Sequence, residues 1–343
     1  EELARAKLIA HETAHMWFGD YVTMDWFNDV WTKEVFANYF AACITEPLFP
    51  SVNHSLNWIK TYTAASLAED RTSGSNSIRQ PLDNLRNAGL IYGNIIYNKA
   101  PVMMQKLVEI MGEKAYQEGI QEYLKTYAYS NATWDDLITI LDAKTEEDLA
   151  SFSDVWVNQK GMPHISFTNR CGQLEIRQRD PLNRGLIWPQ RFQITFIGDE
   201  STTVEVDLSQ ETYALTVPLD TKAILPNTDE RGYGLFIPDE QSRAWLLAHW
   251  QEMTDDTARQ SLLMLLYENY QHRLITDKEW INALLNGLKT EKNALIASTL
   301  CGYLSGPMQK LKDEKLEETI WLWTEKHPIA SCRLQLIRCL ISN

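Results

Sequence analysis

The pentapeptide His11-Glu12-Thr13-Ala14-His15 combines residue types and a spacing that can hold a divalent metal ion. Two histidines four residues apart on a helix project from the same face, so both imidazoles can reach one ion. Glu12 lies beside them, where it can act as the general base for metal-bound water. After a further eighteen residues, Glu34 supplies a carboxylate ligand. Two imidazoles and one carboxylate leave a fourth position open on zinc, which is the layout of a catalytic site.

The segment around the histidines predicts a helix. Leu8-Ile9-Ala10 and Met16-Trp17-Phe18 flank the pentapeptide with apolar residues, contain no proline, and are followed by Gly19, as at a helix C-terminus. We expect this helix to be buried, so that its polar residues need partners. The alternative is a core helix whose histidines only hydrogen-bond to their neighbours.

A second helix is predicted from Val30 to about Ile44, with Asn28 and Asp29 as its cap residues. Glu34 then lies in its second turn. If the two helices pack antiparallel across the short connection from Asp20 to Phe27, the carboxylate can approach the first helix. An isolated glutamate would be interpreted as a solvated helical charge, but its spacing from the histidines favours the ligand role.

These segments resemble the zinc aminopeptidases of the aminopeptidase N and leukotriene-hydrolase type, the gluzincin clan. The family patterns are H-E-x-x-H-x-W-F-G-x-x-V-T and W-W-x-D-L-W-x-N-E-G-F-A. They correspond here to His11-Glu12-x-x-His15-x-Trp17-Phe18-Gly19-x-x-Val22-Thr23 and Trp26-Phe27-x-Asp29-x-Trp31-x-x-Glu34-x-Phe36-Ala37. The resemblance implies one zinc ion held by His11, His15 and Glu34, with Glu12 as catalytic base. Lys33 and Val35 replace the usual Asn and Gly, at positions that hold no ligand.

Ile95-Ile96-Tyr97-Asn98-Lys99-Ala100 resembles the family's Y-x-K-G or Y-x-K-A segment, whose tyrosine stabilises the oxyanion. Tyr97 is therefore the candidate for that role, which a preorganised phenol can fill beside a metal. The alternative is an aromatic side chain packed at a helix end. Pro101 has no N–H to donate, so a kink or a helix start is predicted near the tyrosine.

Asp29 has two possible roles on sequence grounds. It could accept a hydrogen bond from the outer nitrogen of a ligand histidine and fix its tautomer. It could equally be only the cap of the second helix.

Composition limits the class of protein. The 343 residues allow two or three domains, and 44% hydrophobic with 23% charged residues is ordinary for a soluble globular protein. A formal net charge of −14 argues against a nucleic-acid partner, and no apolar run is long enough to cross a bilayer. The cysteines are few, odd in number and without a C-x-x-C pair, which predicts free thiols: Cys43, Cys171, Cys301, Cys332 and Cys339.

Three regimes of patterning predict a multidomain α+β protein. Residues 1–152 have helical periodicity, residues 153–238 contain short alternating runs typical of a small β-sandwich, and residues 239–343 return to helical periodicity. The alternating runs are Gln173–Arg177, Phe192–Phe196, Thr203–Val206 and Ala214–Val217. The resemblance implies that these parts are the helical half of a thermolysin-like catalytic domain, a β-sandwich domain and the start of a helical C-terminal domain.

The expected function is zinc-dependent removal of N-terminal residues from peptide substrates. Relatives also carry a G-x-M-E-N segment whose Glu grips the substrate amine; this sequence has none, so we expect the chain alone to be weakly active or inactive. The alternatives are an epoxide hydrolase of the leukotriene-hydrolase type and a non-catalytic zinc-bearing binding protein, against which intact Glu12 and Tyr97 argue. Residue preference, oligomeric state, compartment and zinc retention are left open by the sequence.

Overall fold

The computed structural model describes residues 2–311 and 313–341, and it is a mixed α/β structure. Its contacts divide it into two compact units. The first comprises Glu1–Pro163, Gln178–Gln190 and Leu208–Glu211; the second comprises His164–Arg177, Arg191–Asp207 and Thr212–Asn343. The metal-ligating candidates all belong to the first unit.

The first unit is mainly helical. Its α-helices are α1 (Glu2–Ala14), α2 (Trp31–Thr45), α3 (His54–Trp58), α4 (Ala64–Asp70), α5 (Ala100–Met111), α6 (Glu113–Thr126), α7 (Trp134–Asp142) and α8 (Leu149–Phe152). Two short strands, β1 (Val22–Met24) and β2 (Ser130–Ala132), pair in parallel. Helical turns of other types connect these elements: 3₁₀ at Phe27–Asp29, Glu46–Leu48 and Leu85–Leu90, and π at Ile59–Thr63, Ile95–Lys99 and Ser153–Val157.

Helix α1 forms where the apolar flanks predict it, but the expectation that it is buried is wrong. Only Ala10 and Ala14 are buried along its length. Four of the six apolar residues that flank the histidines are exposed, namely Leu8, Ile9, Met16 and Trp17, whereas Ala10 and Phe18 are buried. The reason is that α1 packs against α2 along one stripe, and the apolar residues on the rest of its circumference meet solvent.

Helix α2 is confirmed to within one residue of the predicted bounds, but its predicted caps are wrong. Its N-cap residue is Val30, which makes no side-chain cap hydrogen bond. The two residues expected to cap it, Asn28 and Asp29, lie instead in the preceding 3₁₀ turn. Asp29 is buried there, and its carboxylate pairs with a positively charged side chain instead of capping the helix.

The chain around Tyr97 departs from regular helix, as Pro101 predicts. Residues Ile95–Lys99 form a π-helical turn, in which the N–H of Ala100 bonds to the carbonyl of Ile95, and α5 begins at Ala100. Proline is tolerated in the first turn of a helix because the N–H it lacks has no partner there. The prediction of a helix start beside the tyrosine is confirmed.

Seven strands lie within residues 164–237, and the four alternating runs seen in the sequence are among them. The strands are β3 (His164–Arg170), β4 (Gln173–Arg179), β5 (Arg191–Ile197), β6 (Thr202–Asp207), β7 (Thr212–Thr216), β8 (Ala223–Leu225) and β9 (Leu235–Ile237). They form one sheet in the order β7-β4-β3-β9 and another in the order β6-β5-β8. Phe192 of β5 packs edge-on against Phe236 of β9, with ring centroids 5.1 Å apart, so apolar side chains join the two sheets.

The described residues of the second unit go on with six α-helices: α9 (Glu240–His249), α10 (Asp256–Gln271), α11 (Asp277–Thr290), α12 (Ala294–Leu311), α13 (Glu314–Lys326) and α14 (Ala330–Ile341). Local signals set their ends; at α11, for example, Thr276 and Glu279 form a capping box. Among residues 2–311 and 313–341, no helix is both long enough and apolar enough to span a membrane. The five cysteines are free, as predicted.

Candidate metal centre

Three side chains from α1 and α2 converge at one point. The Nε2 atoms of His11 and His15 lie 3.2 Å apart, and Oε2 of Glu34 lies 3.5 Å from the first and 3.7 Å from the second. A tetrahedral ion with bonds of about 2.0–2.2 Å requires ligand atoms separated by about 3.3–3.6 Å. The observed separations of 3.2, 3.5 and 3.7 Å lie in or close to this range, so the donor atoms suit a small tetrahedral cation.

The outer nitrogens of both histidines are engaged, which determines what the inner nitrogens present. Nδ1 of His15 lies 3.0 Å from the carbonyl oxygen of Phe18, and Nδ1 of His11 lies 3.0 Å from Oδ1 of Asn38. Because a carbonyl oxygen only accepts, each Nδ1 donates its proton and each neutral ring is left with a lone pair on Nε2. Two lone pairs and a carboxylate oxygen then face one another, an arrangement that a cation between them would stabilise.

The side chains of the centre also change one another's pKa values. The carboxylate of Glu34 raises the pKa of His11, an effect that burial only partly offsets. Burial acts to raise the pKa of Glu34, but the neighbouring His11, His15 and Lys33 outweigh it and lower that pKa. Glu34 is only 7% exposed, and a buried carboxylate charge requires a positively charged partner.

Glu12 directly follows His11 in the sequence, and its side chain is exposed. Its charge contributes to raising the pKa of both His11 and Tyr97, which places the carboxylate within electrostatic range of each. This exposed carboxylate is accessible to water. A carboxylate open to solvent can accept a proton from water.

Tyr97 lies on the π-helical turn, with its side chain 39% exposed. Burial, together with the charges of Glu34 and Glu12 and the neighbouring Tyr92, raises its pKa. The phenol therefore keeps its proton at neutral pH and can donate it in a hydrogen bond. The ring of Tyr92 stacks beside it at a centroid distance of 6.2 Å.

Asp29 fills neither of the roles considered for it. Its Oδ2 accepts a hydrogen bond from the backbone N–H of Trp134 at 3.1 Å, and its Oδ1 lies 2.7 Å from Nε of Arg79. Arg79 also pairs with Asp135 at 2.8 Å. Asp29 therefore ties the start of α2 to α7 and makes no contact with the ligand histidines.

Sequence reasoning missed the two residues that orient the imidazoles. Asn38 lies one helical turn after Glu34 on α2, and that i, i+4 spacing was the available signal. Phe18 acts through its backbone carbonyl, for which residue type gives no signal. Tyr92 was also missed, since it becomes a neighbour of Tyr97 only through the turn between them.

Comparison with known proteins is consistent with this centre. Residues 1–156 match the Peptidase family M1 domain. The chain is 28% identical over 324 residues to aminopeptidase N of Streptomyces lividans, covering 86% of this chain and 37% of that protein. It is 32% identical over 180 residues to aminopeptidase M1 of Arabidopsis thaliana, covering 52% of this chain and 20% of that protein. The chain thus spans about a fifth to two fifths of the length of these relatives.

Proposed function

We propose that the chain belongs to the M1 peptidase family, whose domain model matches residues 1–156, and that it carries the centre of a zinc-dependent aminopeptidase, which removes N-terminal residues from peptides. The observation that carries the proposal is the convergence of His11 Nε2, His15 Nε2 and Glu34 Oε2 within 3.7 Å of one another. These three residues would hold the ion. When bound, zinc supplies a Lewis acid that polarises a carbonyl and acidifies water.

Glu12 is assigned the general base. Its carboxylate accepts the proton of the attacking water and then delivers it to the leaving amine. Its position supports this role, because the exposed carboxylate directly follows His11 on the helix that bears both histidines.

Tyr97 is assigned the oxyanion donor. As water attacks a peptide carbonyl, negative charge develops on the oxygen, and a phenol hydroxyl that keeps its proton can donate to it. The raised pKa of Tyr97 supports this role, because the phenol then keeps the proton that it donates. Burial raises that pKa, and the charges of Glu34 and Glu12 raise it further.

The predicted domain boundaries belong to the same proposal. Residues 1–152 would form the helical half of a thermolysin-like catalytic domain, residues 153–238 the β-sandwich and residues 239–343 the helical C-terminal domain. Because the relatives are two to five times as long as the part matched here, we also propose that the 343-residue chain alone hydrolyses peptides weakly.

The test compares Glu12→Gln with the parent protein. We expect zinc content to be unchanged and the kcat for leucine anilide to fall by about 10²–10⁴. The N-acetylated anilide, which lacks a free amine, should be a poor substrate. Turnover within a few fold of the parent would remove Glu12 from the role of base, and equal hydrolysis of the acetylated substrate would contradict aminopeptidase activity.

A further inference from the structure

Lys33, the residue before the ligand Glu34, places a positive charge beside the candidate metal centre. Its Nζ lies 3.7 Å from Oε1 of Glu34, while Oε2 of the same carboxylate faces the two imidazoles. The two oxygens of Glu34 are therefore divided between the donor triangle and a lysine ammonium.

The lysine stem also borders the turn that carries His15. A methyl group added at Gly19 would stand 3.5 Å from Cδ of Lys33 and 3.6 Å from Nδ1 of His15. Gly19 has φ of +129°, a conformation in which a side chain is strained. The Lys33 side chain is 30% exposed, so its charge is only partly screened by water.

The effect of Lys33 on Glu34 is one of charge rather than of hydrogen bonding. A separation of 3.7 Å is too long for a hydrogen bond that would fix the carboxylate. A positive charge at this distance still offsets the negative charge that Glu34 offers to a cation, and it repels the cation itself.

We propose that Lys33 tunes the metal site by lowering its affinity for a divalent cation. This inference rests on the proposed function, because it takes His11, His15 and Glu34 to be the ligands. Lys33 thus acts through its charge on Glu34 and on the bound cation, and it is not itself a ligand.

The experiment measures the dissociation constant for Zn²⁺, by competition with a chromophoric chelator, in a charge series at position 33. Lys33→Met and Lys33→Asn should each bind zinc about tenfold more tightly, and Lys33→Glu more tightly still. Lys33→Arg should stay within twofold of the parent protein. These differences should shrink as salt rises from about 0.05 M to about 0.5 M, because screening weakens a partly exposed charge.

Lys125→Met is the matched control, since it removes the same charge from an exposed position in the last turn of α6. Its zinc affinity should equal that of the parent. Unchanged or weaker binding in Lys33→Met would overturn the inference while leaving the metal site in place. If the parent protein itself bound no zinc, or if His15→Ala bound it equally well, the proposed function would fail and the inference would fail with it.

Discussion

Lys99 and Asp70 form a fully buried ion pair, with Nζ and Oδ2 2.8 Å apart and side chains 1% and 0% exposed. Nζ of Lys99 also donates to the carbonyl of Gly161 at 2.9 Å, and the hydroxyl of Ser75 donates to Oδ1 of Asp70 at 2.7 Å. Lys99 is two residues after Tyr97 on the same π-helical turn. The pair therefore anchors the turn that carries the proposed oxyanion donor to the end of α4.

Breaking this pair on one side should be costly. Lys99→Met leaves the Asp70 carboxylate buried without its cation, and we expect the free energy of unfolding to fall by about 3–5 kcal/mol. Urea unfolding of the parent and variant proteins measures the change. The double variant Lys99→Met/Asp70→Asn removes both charges and keeps an oxygen for Ser75, so it should recover most of the loss. A loss below about 1 kcal/mol in the single variant would contradict the buried pair.

Removing only the hydroxyl of Tyr97 should slow catalysis without weakening the metal site. For Tyr97→Phe we expect kcat to fall by about 10²–10³, because one oxyanion donor is lost. KM and zinc content should be nearly unchanged. Tyr92→Phe is the matched control, since its ring stacks beside Tyr97, and it should change kcat by less than about tenfold. Equal effects of the two substitutions would argue against the assigned role of Tyr97.

Asn38 should affect zinc affinity through His11. Asn38→Leu removes the acceptor that holds Nδ1 of His11, and such a change weakens metal binding by about 10–100-fold. Chelator competition measures the affinity. Asn38→Asp keeps an acceptor at the same place and should bind zinc at least as tightly as the parent. Undiminished affinity in Asn38→Leu would show that this hydrogen bond does not orient the imidazole.

The pH dependence of stability should contain a contribution from Glu230 in the second unit. Burial, with added repulsion from Asp255 and Asp229, raises the pKa of Glu230 to about 8. The folded protein then holds a proton on this carboxyl that the unfolded chain releases near pH 4.5. Its contribution to stability is complete below about pH 4.5 and is lost as the pH rises through about 8, with a slope of at most about 1.4 kcal/mol per pH unit.

Glu230→Gln should remove this slope. Measured by urea unfolding between pH 5 and pH 8, the variant should lose less stability than the parent and should be the more stable of the two at pH 8. Glu230 has φ of +64°, and glutamine at this position carries the same backbone cost, so the comparison isolates the charge. Parallel pH profiles for the two proteins would contradict the raised pKa.

The convergence of His11, His15 and Glu34 was accessible to sequence reasoning because its geometry is mostly local. The spacing of His11 and His15 on one helix fixes their common face, and the periodicity that predicts α2 brings Glu34 to the start of the next helix. A different pattern, the alternation of apolar and polar residues, predicted the main strands, because it indicates which face of a sheet is buried.

Features that depend on tertiary partners were missed or misjudged. Residue types do not show that Asp29 pairs with Arg79. Nor do they show that Lys99 pairs with Asp70, which lies almost thirty residues earlier in the sequence. The exposure of the apolar face of α1 likewise depends on what packs against it. The local sequence pattern predicts where a helix forms, whereas the contacts of a buried side chain depend on the tertiary structure.

The proposed centre is a single cation held by the side chains of His11, His15 and Glu34. Its most direct test is the zinc content of purified protein after dialysis against zinc-containing buffer and gel filtration, measured by atomic emission. We predict one zinc ion per chain in the parent protein and in a His249→Ala control, and less than about a tenth of that in His11→Ala, His15→Ala and Glu34→Ala. Full zinc content in any of these three ligand variants, or none in the parent, would contradict the metal centre.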